Sequence, residues 1–153
     1  MRRVFVIRKD LHLKPGKLAA MVGHCCEAYW TNLLKREFAQ AQKDRLAEIE
    51  EDHIRFPIHV DRDAWDGYVN DIFTKTICEA KNLKQLNDKA LPVIGELGLE
   101  EDVDWGYIND KCLTDLIPEN DDGTTTIGMW FRPLQDEQSH MISKKFKLYG
   151  AFD

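Results

Sequence analysis

The chain has 153 residues, 43% of them hydrophobic, and a formal net charge of −6, which fits one globular domain better than two. No apolar run approaches the length of a membrane span, and the start of the chain lacks the long apolar stretch and cleavage site of a signal peptide. The four cysteines form no C-x-x-C pair, so neither a zinc site nor a redox dithiol is indicated. We expect a soluble, cytoplasmic protein with no membrane partner, no metal and no cofactor.

The charges are distributed unevenly along the chain. Residues 1–17 carry six Lys or Arg residues against one Asp, and residues 144–153 carry three Lys residues against one Asp. The residues between them hold an excess of negative charge. If the two ends lie together in the fold, an acidic protein presents one basic face, which is suited to a polyanion. Alternatively, these charges only solvate scattered surface.

The first half of the chain opens on the run Arg3–Arg8, which predicts a short strand buried on both faces. Pro15 and Gly16 then introduce a strong helical pattern from Lys17 to about Glu37. Residues 38–52 are rich in helix formers and predict an exposed helix, either continuous with the first or a separate arm. Residues 54–60 alternate like an edge strand, and residues 65–72 recur at helical spacing.

The second half alternates strands and helices. Strands are predicted at Thr74–Ala80, Trp105–Asn109 and Thr124–Phe131; helices are predicted from Asn82 to Leu97 and from Pro133 to about Lys145, with an extended tail at 146–149. This alternation is typical of layered α/β domains. We therefore predict a three-layer α/β/α sandwich with a central mixed, mainly parallel four-stranded sheet.

A lysine stands at the start of the long helix, directly after the first strand. Ligands of open α/β sheets gather at the carboxyl ends of strands, and a helix N-terminus attracts anions. A cation there costs about 0.3–1 kcal/mol relative to an acid, so Lys17 either holds a phosphate or a developing oxyanion or is simply solvated. The loop is not a Walker loop, because Leu11 and Leu18 replace the Gly and the Ser or Thr which that motif needs.

A second polar segment ends the third predicted strand. It consists of Asn109 and Asp110, with Thr114 four residues further on. A carboxylate at this position can orient Lys17 or position a water molecule. Alternatively, Asp110 only caps the following turn, as aspartates often do.

A set of short motifs follows in order along the chain. They are the strand 4–8 with Asp10-Leu11, the segment 16–20 with His24, Lys75–Leu86, Leu97-Gly98-Leu99, Ile108-Asn109-Asp110 with Thr114, Thr125 with Gly128, and Lys145-x-Lys147-Leu148-Tyr149. This ordered set resembles the archaeal- and eukaryotic-type peptidyl-tRNA hydrolases, with residues 31–72 mostly outside the likeness. The resemblance implies a single domain over residues 1–153, in which residues 31–72 form a helical insertion.

The resemblance also implies a homodimer that cleaves the ester between a peptide, or an N-blocked amino acid, and the terminal ribose of tRNA. The implied catalytic residues are Lys17, Asp110, Thr114 and Thr125. The implied substrate-binding residues are Arg8, Lys14, His24 and Asn109. Asp110 is expected to orient the water and Lys17, while Lys17 and a threonine hydroxyl stabilise the oxyanion. His24 could equally be a structural histidine.

The chain departs from the family pattern at Met21, at Cys112 and in the acidic loop 119–122. These departures keep a second hypothesis open: a non-catalytic RNA- or protein-binding module on the same fold. It is favoured if Met21 and the acidic loop close the site while the 31–72 insertion shows a broad apolar patch. A third hypothesis is that the insertion builds an oligomer, with the aromatic side chains of Phe38, Trp65 and Tyr68 buried against another chain.

Overall fold

A five-stranded sheet forms the centre of the protein in a computed structural model, which describes residues 1–150. In chain order the elements are β1 (Arg3–Arg8), α1 (Pro15–Lys43), β2 (Glu48–Ile49), β3 (Ile54–Arg55), α2 (Arg62–Ala64, continued by a π-helical turn at Trp65–Val69), β4 (Lys75–Ala80), α3 (Leu83–Leu97), β5 (Trp105–Asp110), β6 (Thr125–Phe131), α4 (Asp136–Ser143) and β7 (Lys147–Leu148). None of the described helices combines the length and the hydropathy that a membrane-spanning segment requires.

The sheet is mixed, with the strand order β5-β6-β1-β4-β7. Only β1 and β4 pair in parallel, whereas the β1–β6, β5–β6 and β4–β7 pairs are antiparallel. The prediction of a mixed sheet is confirmed: of the four predicted strands, β5, β1 and β4 run in one direction and β6 runs in the other. The sheet has five strands instead of four, because β7 is only two residues long and its sequence carries little strand signal. A loop without a crossover helix joins β5 to β6, so these neighbours are antiparallel.

Helices cover both faces of the sheet, which confirms the three-layer α/β/α class. Helix α1 packs on one face through residues such as Met21 and Cys25. Helices α3 and α4 pack on the other through residues such as Leu86 and Ile142. Every residue of β1 is buried as a result, and even Arg3 is fully enclosed, with its guanidinium donating to the backbone carbonyls of three residues: Cys25, Cys26 and Phe131.

The boundaries of α3 follow the predicted signals. The Asn82 side chain accepts a hydrogen bond from the backbone N–H of Gln85 at 2.8 Å and so caps the first turn. Gly98 ends the helix in the left-handed conformation, with φ at 66°. The helix continues through Pro92 without a break.

Residues 31–72 are only partly helical. Helix α1 continues without interruption to Lys43, so the two predicted helices are one. The chain then turns into the hairpin β2–β3 instead of a helix, and the hairpin arm folds back on α1, where the rings of Phe38 and Phe56 meet edge to face at 5.3 Å. The helix expected over residues 38–52 therefore ends early, at Lys43, whereas the extended segment expected over 54–60 contains β3. Turn and extended residues occupy 44–60.

The aromatic residues assigned to an oligomer contact differ in their exposure. Tyr68 is 3% exposed and packs inside its own chain, so that expectation is wrong for this residue. Phe38 is half-buried under the hairpin, whereas half of Trp65 is accessible.

The topology brings three strand ends to one edge of the sheet. Strands β1 and β4 are parallel, and both β1 and β5 are antiparallel to β6, so β5, β1 and β4 all run in the same direction. Their carboxyl ends, at Asp110, Arg8 and Ala80, lie at the same edge. The start of α1 faces this edge because a short loop connects it to β1.

Candidate active site

A lysine–aspartate pair joins the first turn of α1 to the end of β5. The Lys17 ammonium Nζ donates to Asp110 Oδ1 at 2.8 Å, and the two side chains are 20% and 11% exposed. The backbone N–H of Cys112 donates to Asp110 Oδ2 at 3.0 Å. Both carboxylate oxygens therefore have a donor, and the pair remains partly accessible to solvent.

Opposing influences act on the pKa of Asp110. Burial by itself raises this pKa, because it disfavours the charged form. The hydrogen bonds from Lys17 and from the Cys112 N–H, together with the positive charge of Lys17 and the proximity of His24, outweigh burial and hold the pKa of Asp110 below its ordinary value. Asp110 is therefore a carboxylate at neutral pH and acts as a hydrogen-bond acceptor.

An open groove of about 540 Å³ surrounds the pair. Five of the eight predicted site residues line it: Lys17, His24, Asn109, Asp110 and Thr114. His24, Asn109 and Thr114 are exposed, so their polar groups are free to meet a substrate. Lys111 and Leu113 also line the groove; the sequence offered no motif for them, although they directly follow a strand end.

The groove contains the groups that ester hydrolysis needs without a covalent intermediate. The Asp110 carboxylate can accept a hydrogen bond from a water molecule and fix its orientation. The Lys17 ammonium and the Thr114 hydroxyl can donate to negative charge that develops on a carbonyl oxygen. Among residues 1–150, no three His, Cys, Asp or Glu side chains are grouped so that they could hold a metal ion.

Arg8 does not belong to the groove, contrary to expectation. Its guanidinium is 4% exposed and forms paired hydrogen bonds with the carboxylates of Asp10 and Glu119, at 2.8 to 3.2 Å. It also donates to the backbone carbonyl of Thr126 at 2.9 Å. Burial lowers its pKa, but the hydrogen bonds that Arg8 donates to these two acids outweigh burial and raise it. This geometry does not fit the substrate-binding role expected for Arg8, because its donors are already used.

Thr125 also lies outside the groove. It is opposite Asp110 in the β5–β6 pair, but its side chain is fully buried. Its hydroxyl donates to the carbonyl of Ile117 at 2.7 Å and accepts from the N–H of Glu119 at 3.0 Å. The hydroxyl thus fixes the loop before β6, and this geometry does not fit the catalytic role expected for Thr125.

Lys14 lies beside the groove and not in it. Its side chain is 77% exposed and makes one loose ion pair with Asp115 at 3.8 Å. It lines a smaller cavity of about 190 Å³, which Lys17 also lines. Lys14 is therefore free to contact a ligand that extends out of the groove.

The departures from the family pattern leave the groove open. Met21 is 2% exposed and packs in the core under α1. Glu119, in the acidic loop, is turned towards Arg8. Cys112 adopts a positive φ of 57°, a conformation that glycine tolerates best. The occlusion that would favour a purely binding module is absent from this groove.

The fold and the site define an α/β sandwich protein with a lysine–aspartate pair in an open groove at the carboxyl edge of its sheet. The sequence model of the family peptidyl-tRNA hydrolase PTH2 matches residues 1–149. The chain belongs to this family, and the resemblance seen in the sequence motifs is confirmed. A search of curated proteins gave no match.

Proposed function

We propose that the protein is a cytoplasmic peptidyl-tRNA hydrolase-like esterase. Its substrate is the ester that joins a peptide, or an N-blocked amino acid, to the 3′ ribose of tRNA. The observation that carries the proposal is the 2.8 Å contact between Lys17 and Asp110 at the wall of an open groove. Membership of the peptidyl-tRNA hydrolase PTH2 family supports the choice of substrate. We further propose a homodimer of single-domain chains in which residues 31–72 are an insertion.

The reaction begins with a water molecule that donates a hydrogen bond to Asp110. Because the pKa of Asp110 is lowered, this carboxylate is a weak base and acts by orienting the water. The water oxygen attacks the ester carbonyl carbon, and the Lys17 ammonium and Thr114 hydroxyl donate to the resulting oxyanion. As the bond to the ribose oxygen breaks, the proton of the water passes to that oxygen. The products are a free carboxylic acid, which then ionises, and deacylated tRNA.

The test is the hydrolysis of an N-blocked aminoacyl-tRNA by the purified protein. Lys17→Met removes the cation at similar length, and Asp110→Asn removes the charge with little change of shape. We expect each to lower kcat by about 10²–10⁴-fold, the range for removing a positioned polar group from a transition state. Thermal melting of each variant reports whether the fold survives.

Lys14→Met is the matched control, because it removes an exposed lysine three residues away that makes no contact with Asp110. Its kcat should stay within a few-fold of wild type. Near-wild-type turnover in both Lys17→Met and Asp110→Asn would refute the mechanism. A wild-type protein that binds tRNA and releases no amino acid would refute the activity and favour the binding module.

A further inference from the structure

A second and larger groove lies at the same edge of the sheet, beside the ends of β1 and β4. Its volume is about 610 Å³. Six lysines line it: Lys9, Lys81, Lys89, Lys144, Lys145 and Lys147. They come from four places in the sequence: the residues directly after β1 and β4, helix α3, and the segment after α4. The fold has therefore placed the three lysines near the C-terminus beside Lys9, Lys81 and Lys89 on one face of an acidic protein.

Most of this positive charge is uncompensated. Lys81, Lys89, Lys144, Lys145 and Lys147 are all exposed. Within residues 1–150, none of these five has a carboxylate oxygen within 4.0 Å, although the chain contains 27 Asp and Glu residues.

The acids that line the groove are already neutralised. Asp10 is bound to Arg8, at 2.9 Å. Glu79 lies 3.4 Å from the Lys9 ammonium and also accepts from the backbone N–H of Gly150. The groove thus presents an array of exposed ammonium groups. One of them, Lys89 Nζ, donates to the backbone carbonyl of Lys145 at 3.2 Å and keeps two further donors. Such an array is suited to neutralise a row of phosphates.

The lysine groove lies near the candidate active site. His12 lines both the lysine groove and the small cavity beside Lys14. Lys17 lines both that small cavity and the groove around Asp110. Shared lining residues therefore place the three cavities in a row along one edge of the sheet. Strands β5 and β4 are three places apart in the sheet, so the row spans at least about 14 Å at the usual strand spacing.

We propose that the lysine groove binds the backbone phosphates of the tRNA acceptor arm while the ester lies at Lys17 and Asp110. The inference rests on the proposed function for the position of the ester. The flexible ammonium groups contact phosphates and read no bases, so binding through this groove is insensitive to tRNA sequence. The acidic remainder of the chain repels RNA, and this polarity orients the substrate on the enzyme.

The experiment compares two esters of the same N-blocked amino acid, one on full-length tRNA and one on a short 3′-terminal RNA fragment that lacks the acceptor duplex. The groove variant is Lys81→Ala with Lys145→Ala. The matched control is Lys35→Ala with Lys43→Ala, two exposed lysines of α1 outside the groove. Binding of deacylated tRNA is measured separately as a function of salt.

The groove variant should raise KM for full-length tRNA by about tenfold at low salt. It should also reduce the slope of log affinity against log salt by about two, because each phosphate that a lysine no longer neutralises lowers this slope by roughly one. Its kcat, and its KM for the short ester, should match the control. Replacement of both lysines by arginine should restore tRNA affinity, because the charge returns.

Two results would overturn the inference. The first is a groove variant that binds tRNA with the same affinity as the control variant. The second is a rise in KM that is equal for the short ester and the full-length tRNA ester. Unchanged tRNA binding with lost binding of a poly-glutamate peptide would instead assign the groove to an acidic protein segment. Binding of deacylated tRNA tests the lysine groove without any hydrolysis. Failure of the esterase proposal can therefore be told apart from failure of the groove assignment. If the wild type releases no amino acid but the groove variant still loses tRNA affinity, the groove assignment stands and the esterase proposal falls.

Discussion

The Arg8 cluster, at the end of β1, and the Lys17–Asp110 pair, between the start of α1 and the end of β5, lie at the same edge of the sheet. Both join a basic side chain to acids. Arg8 is 4% exposed, shares its hydrogen bonds between Asp10 and Glu119, and lines no part of the groove. Lys17 is 20% exposed, donates to Asp110 alone, and lines two adjoining cavities. One basic residue is saturated with protein partners, and the other retains donors that a substrate can use.

The comparison teaches that the number of protein partners, and not the kind of residue, decides whether a basic side chain keeps donors for a ligand. An arginine held by two carboxylates cannot turn to a ligand without leaving both acids unpaired. A lysine ammonium has three donors and gives one of them to Asp110. The remaining donors of Lys17 can meet an oxyanion at no cost to the fold.

Replacement of Arg8 should give the largest effect and tests whether Arg8 is structural while Lys17 is available to a ligand. Arg8→Met should lower the free energy of unfolding by about 2–3 kcal/mol, less than the cost for a fully buried pair, because Asp10 and Glu119 can hydrate. The kcat of the molecules that remain folded should change little, since Arg8 does not line the groove. Urea unfolding and active-fraction kinetics measure the two quantities.

The loose pair between Lys14 and Asp115, at 3.8 Å, provides the control. Lys14→Met should change stability by less than about 0.5 kcal/mol, as exposed pairs do. An Arg8→Met protein with wild-type stability and lost turnover would place Arg8 in the site and break the comparison.

The sequence predicted the Lys17–Asp110 pair because the pair depends on topology. Strand ends of one direction meet at one edge of a sheet, so a lysine after β1 and an aspartate after β5 could be expected to converge. The same rule could have found Lys81, which directly follows β4. The charge balance of the two chain ends indicated a basic face, but of the six basic residues among residues 1–17 only Lys9 lines the lysine groove.

The misplaced residues depended on features that a single sequence does not display. The guanidinium of Arg8 is bound by the carboxylate of Glu119, a residue 111 positions away in the chain. Thr125 is held by the loop before β6, because its buried hydroxyl bonds the backbone of Ile117 and Glu119. Its sequence position beside Gly128 fits the family pattern and gives no sign of these contacts.

The pKa of Asp110 offers a second way to sharpen the comparison. Its lowered value in the folded protein means that its contribution to stability is complete above the unfolded value and is lost as pH falls through the lower, folded value. The difference in free energy of unfolding between wild type and Asp110→Asn should therefore become smaller only as pH falls below the unfolded-state pKa of an aspartate towards the lower pKa of the folded protein. NMR titration of the Asp110 carboxyl should show its midpoint rising in Lys17→Met, because burial then acts with less opposition. An unchanged midpoint would show that Lys17 does not control this carboxylate.

Substitution of Cys112 should give the smallest change in the free energy of unfolding. Cys112 supplies the N–H that holds Asp110 Oδ2, and it does so at a positive φ of 57°. A side chain in this conformation costs about 1–2 kcal/mol, whereas glycine adopts it freely but loses more entropy on folding, about 0.5–1 kcal/mol. Cys112→Gly should therefore raise the free energy of unfolding by about 0.5–1 kcal/mol and leave kcat close to wild type.

Cys112→Ala separates the backbone from the thiol, whose Sγ lies 3.5 Å from the Asp110 carbonyl oxygen. Alanine keeps the Cβ and should show no gain in denaturant unfolding. An equal gain in both variants would trace the effect to the thiol. A loss of turnover in the glycine variant alone would mean that a fixed Cys112 N–H is needed to hold Asp110. The Lys17–Asp110 pair would then depend on a rigid backbone, whereas the Arg8 cluster depends on paired side chains.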